Sequence, residues 1–358
     1  LCSPTRAALL TGRNHHSAHF GAISEIAVGY PGYDSVIPKS KVTVAEILKG
    51  NGYNTAFIGK NHITPMWETS PAGPMDRWPT GLGFERFYGF MGGEASQWEP
   101  SLLDQTTPIN PHVGKENYHL TEDLADQTIS WIRNQKTSAP DKPFFIYFAP
   151  GATHAPHHAP QEWIEKFAGQ FDQGWDALRD EIFERQLASG VIPEGTANTV
   201  RPDSIPSWDE YPDEYKKVAS RLMEVYAGFL GHTDAQVGRI IEAIKELEQW
   251  ENTLFIYIVG DNGASAEGTI HGTWSAPSMQ NGFPEDPQWI LEHIDELGGP
   301  EAENHYNVGW AWALDAPFQW TKQVASHFGG TRNATAISWP KGIKDAGGLR
   351  PQFHHVID

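Results

Sequence analysis

A single cysteine in 358 residues excludes an internal disulfide. No apolar run approaches the length of a membrane span. Positive charge is scarce, with 26 Lys and Arg against 45 Asp and Glu and a formal net charge of −19. Such acidity argues against a nucleic-acid backbone or an anionic membrane surface as the main partner. Repeats and low-complexity tracts are absent. Leu1-Cys2-Ser3-Pro4 offers no initiator Met and no charged-then-apolar leader, and Val356-Ile357 lies one residue from the end. The sequence therefore reads as a fragment, and its compartment stays open. What is abundant is Gly (35) and Pro (26), which predicts many turns and long loops. With 39% apolar residues and 14 Trp, the chain can build a large core, in one large domain or two.

Helical and extended patterns alternate. Thr43-Val44-Ala45-Glu46 has capping-box form and predicts a helix ending near Gly50-Asn51-Gly52. Leu120, Leu124, Thr128, Trp131 and Ile132 fall at helical spacing. A long amphipathic run covers 213–248, with a break expected near Gly231. Strands are predicted at 54–59, 143–149, 253–259 and 334–339, the last stopped by Pro340. Apolar strands alternating with helices predict an α/β sheet covered on both faces. The polar stretch around Trp163, Trp175 and Trp208 (161–212) and the Gly-, Pro- and Trp-rich stretch 263–328 read as loop-heavy insertions near the carboxyl edge of the sheet.

Ligands of open α/β sheets bind beyond the carboxyl ends of the strands. The first three predicted strands each run into a polar group there. These are Gly59-Lys60-Asn61-His62, Thr153-His154-Ala155-Pro156-His157-His158 and Gly260-Asp261-Asn262-Gly263. Singly, each has a plain reading: a solvated Lys, a histidine cluster without Cys or carboxylate partners for zinc, and a turn. Gly59-Lys60 is not a P-loop, because Asn61 replaces the required Ser or Thr. Together they predict convergence at one edge. Trp274, Trp289, Trp310, Trp312 and Trp320 read either as a stacking wall or, with more weight, as core. His271, His157 and His158 are candidates for the same mouth.

The amino-terminal stretch Cys2-Ser3-Pro4-Thr5-Arg6, followed by Leu10-Thr11-Gly12-Arg13, predicts a loop entering a helix, with Pro4 in the first turn and Gly12 as the stop. A Cys at a helix amino end sits in a positive field. The string resembles the sulfatase signature Cys-x-Pro-x-Arg followed by Thr-Gly. Gly59-Lys60-Asn61-His62 resembles the family's Gly-Lys-x-His. Ala152-Thr153-His154-Ala155-Pro156 with Ala159-Pro160 resembles its histidine segment and selects His154. Asp261-Asn262-Gly263 resembles its metal-binding Asp-Asn-Gly. Lys322 ahead of Gly329-Gly330-Thr331-Arg332 resembles its lysine before Gly-Gly-x-Arg. Thr5 and Thr153 stand where the family commonly has Ser or Ala, and Pro; neither change removes a functional group.

The resemblance spans the chain. It implies an alkaline-phosphatase-like three-layer α/β sandwich with a mixed, mostly parallel central sheet and long loop insertions. It also implies that a first strand bearing two metal-binding aspartates and a carboxyl-terminal subdomain are missing, leaving 1–358 as a partial catalytic domain. The implied activity is hydrolysis of a small-molecule or saccharide sulfate ester. A formylglycine-generating enzyme would convert Cys2 to formylglycine, whose hydrate attacks sulfur beside Ca²⁺, with Mg²⁺ as the alternative ion. Cys2, Asp261 and Asn262 are the implied metal ligands. Lys60 and Lys322 neutralise sulfate oxygens, and His154 with Lys322 protonates the leaving oxygen. Arg6 supports the formylglycine hydroxyls, and His62 removes the remaining hydroxyl proton. A phosphonate monoester or phosphodiester hydrolase of the same superfamily, or an inactive fragment, is the alternative.

Overall fold

The computed structural model describes residues 1–358. Its central sheet has five strands in the order β4-β3-β2-β1-β5. The strands are β1 (Asn54–Lys60), β2 (Arg86–Phe90), β3 (Leu102–Asp104), β4 (Thr107–Ile109) and β5 (Phe144–Ala149). β1 is parallel to both β2 and β5, whereas β2–β3 and β3–β4 are antiparallel. The sheet is therefore mixed, as expected.

Every residue of β1 is buried, and alternate side chains serve opposite faces. On one face Phe57 joins Ala7, Leu10, Trp78, Phe84 and Phe87; Ala7 and Leu10 belong to helix α1 (Cys2–Thr11). On the other, Ile58 joins Tyr88, Phe90, Leu120 and Leu124, the last two from helix α3 (Leu120–Ser138). Between α1 and α3 lies α2 (Val44–Gly50), where both bonds of the Thr43–Glu46 capping box are made. Helices on both faces give the three layers.

The third and fourth predicted strands form, but not in this sheet. β6 (Phe255–Ile258) and β7 (Thr335–Ser338) pair antiparallel with each other as a separate two-stranded sheet. The single-edge convergence expected from three strands is corrected accordingly: two parallel strands supply it, and the loop after β6 is brought there by side-chain bonds. Ile256 and Ile337 are exposed, so apolar composition marked these strands without marking their neighbours.

Seven further helices lie between β5 and β7, the first five being α4 (Gln161–Ile164), α5 (Gly174–Ala188), α6 (Asp213–Glu246), α7 (Ala276–Gln280) and α8 (Pro287–Glu292). Then come α9 (Val308–Leu314) and α10 (Phe328–Thr331). α6 runs unbroken for 34 residues, through Gly231. The glycines there serve close packing instead: a Cβ on Gly228 would lie 2.8 Å from Ile164 Cα. The stretches expected to be loop-heavy join α6 in the largest core, which holds Trp175, Trp208, Trp310 and Trp312. No helix is long and apolar enough to cross a membrane.

Candidate active site

Cys2 opens α1 and is buried, and Gly12 closes the helix in the left-handed region (φ 58°). One helical turn onward Arg6 faces the same way as Cys2. Its Nη1 donates to the Lys60 carbonyl at 2.7 Å. Its Nε and Nη2 reach Asp261 Oδ2 at 3.0 and 2.9 Å. Thr5 Oγ1 adds a bond to the Asp261 carbonyl at 2.8 Å. Arg6 thus staples the end of β1 to the loop that follows β6. Burial alone would raise the Asp261 carboxyl, but the charges of Arg6 and Lys60 outweigh it and hold it below the usual carboxylate range.

Lys60 ends β1 fully inside the protein. Burial pulls its ammonium below the ordinary lysine range. Burial would raise the Cys2 thiol, yet the Lys60 charge and a hydrogen bond with His62 bring it down to about 6. His62 follows β1 with φ 57°. Hydrogen bonds with Cys2 and Glu25 overcome its burial and raise its pKa.

β5 delivers the next group. His154 Nδ1 bonds the Ala155 carbonyl at 2.8 Å, which makes that nitrogen the donor. Nε2 is then the acceptor, and it lies 3.2 Å from Lys322 Nζ. Burial and the charges of Lys60 and Lys322 hold His154 well below its ordinary pKa, so it rests neutral. Lys322 Nζ also pairs with Glu267 Oε2 at 2.7 Å. The Lys322 amide donates to the Ala264 carbonyl at 2.9 Å, fixing the lysine to the loop after Asp261. The Gly329-Gly330 motif acts by close approach: a Cβ on Gly263 would collide with the Gly329 carbonyl, at 1.5 Å.

Cys2, Arg6, Lys60, His62, His154, Asp261 and Lys322 are thus gathered. Asp261 and Asn262 do not by themselves fit Ca²⁺, which takes six to eight oxygen ligands. Asp261 is engaged by Arg6, the Asn262 amide donates to the Gly263 carbonyl at 2.9 Å, and no group of three His, Cys, Asp or Glu side chains is placed to hold a metal. His157 and His158 are buried in packing contacts: His157 packs on Tyr226, His305 and Tyr306, and His158 Nε2 bonds the Ala302 carbonyl at 2.8 Å. His271 bonds Tyr211 Oη and lines a cavity of about 350 Å³ shared with Thr269, Met279 and Ile290, which none of the gathered residues borders. Trp310 and Trp312 are core, whereas Trp289 and Trp320 are exposed. Glu25, Glu94 and Glu267 escaped the sequence reading; Glu94 stands 3.7 Å from His154.

A further buried acid supports the frame. Asp315 Oδ1 accepts the Ala264 amide at 2.9 Å, and burial pushes its carboxyl up to about 8. An unfolded Asp titrates near ~3.9, so between these values the folded state binds the extra proton and stability falls as pH rises. Asp315 therefore contributes a decline in stability from about pH 4 to pH 8, and the urea-midpoint difference between wild type and Asp315→Asn is expected to fall across that range.

A buried cationic cluster thus surrounds one Cys at the carboxyl ends of the parallel strands. The family model described as Sulfatase matches residues 1–358, and the chain belongs to the sulfatase family. An uncharacterized sulfatase of Schizosaccharomyces pombe is 30% identical over 96% of this chain and 62% of its own length. An arylsulfatase of Klebsiella aerogenes is 28% identical over all of this chain and 75% of its own length. The chain thus spans about two thirds of these relatives. Among solved structures, yidJ of Bacteroides fragilis superposes with TM-score 0.56 at 17% identity, over 96% of this chain and 58% of that one. Ps i-CgsB, solved with k-i-k-neocarrahexaose, gives 0.54 at 20% identity, over 95% and 56%.

Proposed function

We propose that the chain carries the active site of a sulfuric ester hydrolase acting on a small-molecule or saccharide sulfate ester. The observation that carries this reading is the placement of Cys2 at a helix amino end among Lys60, His62, His154 and Lys322. A formylglycine made from Cys2 by a maturation enzyme would supply a carbonyl hydrate as oxygen nucleophile at this position. Ca²⁺ would need donors beyond Asp261 and Asn262, so the chemistry assigned here uses side chains alone.

Each has a task. Lys60 and Lys322 bring positive charge to the sulfate oxygens, where charge builds during transfer. His62 accepts a proton from position 2. Lys322 donates to His154 Nε2 and is the proton source for the leaving oxygen, because His154 itself rests neutral with Nε2 unprotonated. The net charge of −19 opposes an anion at long range, but salt screens this beyond roughly 8–10 Å, and the local cations decide binding.

Mass spectrometry of the Cys2 peptide, with turnover of an aryl sulfate beside a phosphonate monoester, tests the reading. Aldehyde at position 2 and preferential sulfate release are expected; activity that survives Cys2→Ala, or phosphonate preference, overturns it. Lys60→Ala should raise KM and lower kcat together, about tenfold each, since this charge meets both ground state and transition state.

A further inference from the structure

Three carboxylates beside the gathered side chains already have donors: Asp261 is taken by Arg6, Glu25 by His62 and Glu267 by Lys322. Glu94 is placed differently. It follows β2, whose Phe90 is in register with Lys60 at the end of β1, so both strands deliver their next residues to the same edge. The segment is pinned on either side of Glu94. Before it, Gly93 lies against the His62 ring, where a Cβ would stand 2.8 Å from Cε1, and only a residue without a side chain leaves room. After it, the Ala95 carbonyl accepts Gln97 Nε2 at 3.1 Å, and buried Gln97 in turn accepts Thr121 Oγ1 at 3.1 Å. Glu94 Oε2 then stands 3.7 Å from His154 Nδ1. That ring proton is already given to the Ala155 carbonyl at 2.8 Å, so the carboxylate neighbours the imidazole without being its acceptor. Lys322 occupies the Nε2 side of the same ring. The Glu94 side chain is 48% exposed, and its oxygens are open to a ligand.

Resting on the sulfatase reading of the site, we propose that Glu94 is a specificity-determining residue: it accepts a hydrogen bond from an uncharged hydroxyl beside the sulfate ester on the leaving group and rejects a second anion at that position. In that reading the leaving oxygen sits at His154, so the atoms bonded to it pass the ring and meet the carboxylate on its Nδ1 side. The substrate class is then a monosulfated polyol or saccharide with a free hydroxyl next to the ester, not one that carries a second sulfate or a carboxylate there. Two effects set the preference. A hydroxyl donating to a carboxylate makes a charge-assisted bond, roughly twice as strong as a neutral one. A second anion meets the same carboxylate at contact distance, well inside the roughly 8 Å over which physiological salt leaves charges unscreened, and the repulsion discriminates against it. Lys60 and Lys322 draw the sulfate group itself, so Glu94 acts on what the sulfate is attached to.

Phenyl sulfate, 2-hydroxyphenyl sulfate and 2-carboxyphenyl sulfate carry hydrogen, a hydroxyl and a carboxylate beside the ester. Each is compared with itself in wild type and variant, which cancels its intrinsic reactivity. In Glu94→Ala, kcat/KM is expected to fall about tenfold for the hydroxyl ester, rise about tenfold for the carboxylate ester and hold within about twofold for phenyl sulfate. Glu94→Gln, which keeps an acceptor and loses the charge, should show the rise with a smaller fall. A residue that only steadied His154 would move all three esters alike; that result, or no change in any of them, overturns the assignment. Calorimetric Kd values for the three esters on chain with unmodified Cys2 separate recognition from chemistry. Kd shifts in the expected order on Glu94→Ala, in a chain whose wild type releases no sulfate, sink the sulfatase reading and leave the role of Glu94 standing. Sulfate release by wild type, with the order of the three esters unchanged in Glu94→Ala, does the reverse. A wild-type chain that neither binds nor cleaves them overturns both.

Discussion

Arg6→Leu is expected to cost about 3 kcal/mol of stability at pH 7, near the lower end for breaking a buried ion pair. The loss is not mainly that of an attraction. Leucine fills much of the same space, but Asp261 keeps its charge, the Lys60 carbonyl loses its donor, and the loop after β6 loses its staple. Asp261 retains 24% side-chain exposure against 7% for Arg6, and water reaching the carboxylate tempers the penalty. Urea unfolding at neutral pH reads the effect. Adding Asp261→Asn to Arg6→Leu should recover a large part of it, since the orphaned charge is then gone. If the double variant is as unstable as the single one, the cost lies in lost packing of the guanidinium and not in electrostatics. Activity should vanish in either variant, because Asp261 and the end of β1 are positioned by the same side chain.

The elements that sequence reading found are those with local signals. Pro4 and Gly12 bracket α1, Thr43 and Glu46 cap α2, and the apolar runs of β1 and β5 are buried by flanking helices. The polar residues just past those strand ends, Lys60, His62 and His154, were legible for the same reason: parallel strands end on one edge. Strand partnership was not legible. β6 and β7 are apolar, yet nothing in their composition says that they pair with each other, since pairing joins residues about 80 apart. β3 and β4 are three-residue strands, too short for periodicity to show. α5 escaped because charged and apolar residues alternate around it without a clear stripe. Gly231 was misjudged because a glycine in a helix reads equally as a break or as a contact, and only Trp163 and Phe167 beside it decide. The glutamates illustrate the deepest limit. Glu25 is 37 residues from His62 and Glu267 is 55 from Lys322. Each has its role entirely through a distant partner.

Lys322→Ala is expected to lower kcat by about 10²–10³, with the loss growing as the leaving group becomes more basic. In the proposed reading two functions go at once, a positive charge facing sulfate oxygens and the proton delivered through His154. The leaving-group series separates them. A charge contact weakens all esters alike, whereas a missing proton hardly matters for a nitrophenolate, which departs as an anion, and matters most for an alkyl or sugar alkoxide. His154→Ala should reproduce the slope with a smaller loss on the nitrophenyl ester, because Lys322 and its charge remain. The hydrogen bonds set this order of dependence. His154 donates Nδ1–H to the Ala155 carbonyl and receives at Nε2, so it can pass a proton on only after taking one from Lys322. Glu267 holds the ammonium from the other side and is itself held by Ser265 and Gln323, which keeps Lys322 aimed. Substituting Glu267→Gln should therefore move kcat in the same direction as Lys322→Ala but by less, about tenfold, with the strongest effect again on the poorest leaving groups. Equal losses across the series in all these variants would assign Lys322 to sulfate binding alone and leave the leaving oxygen to be protonated by water.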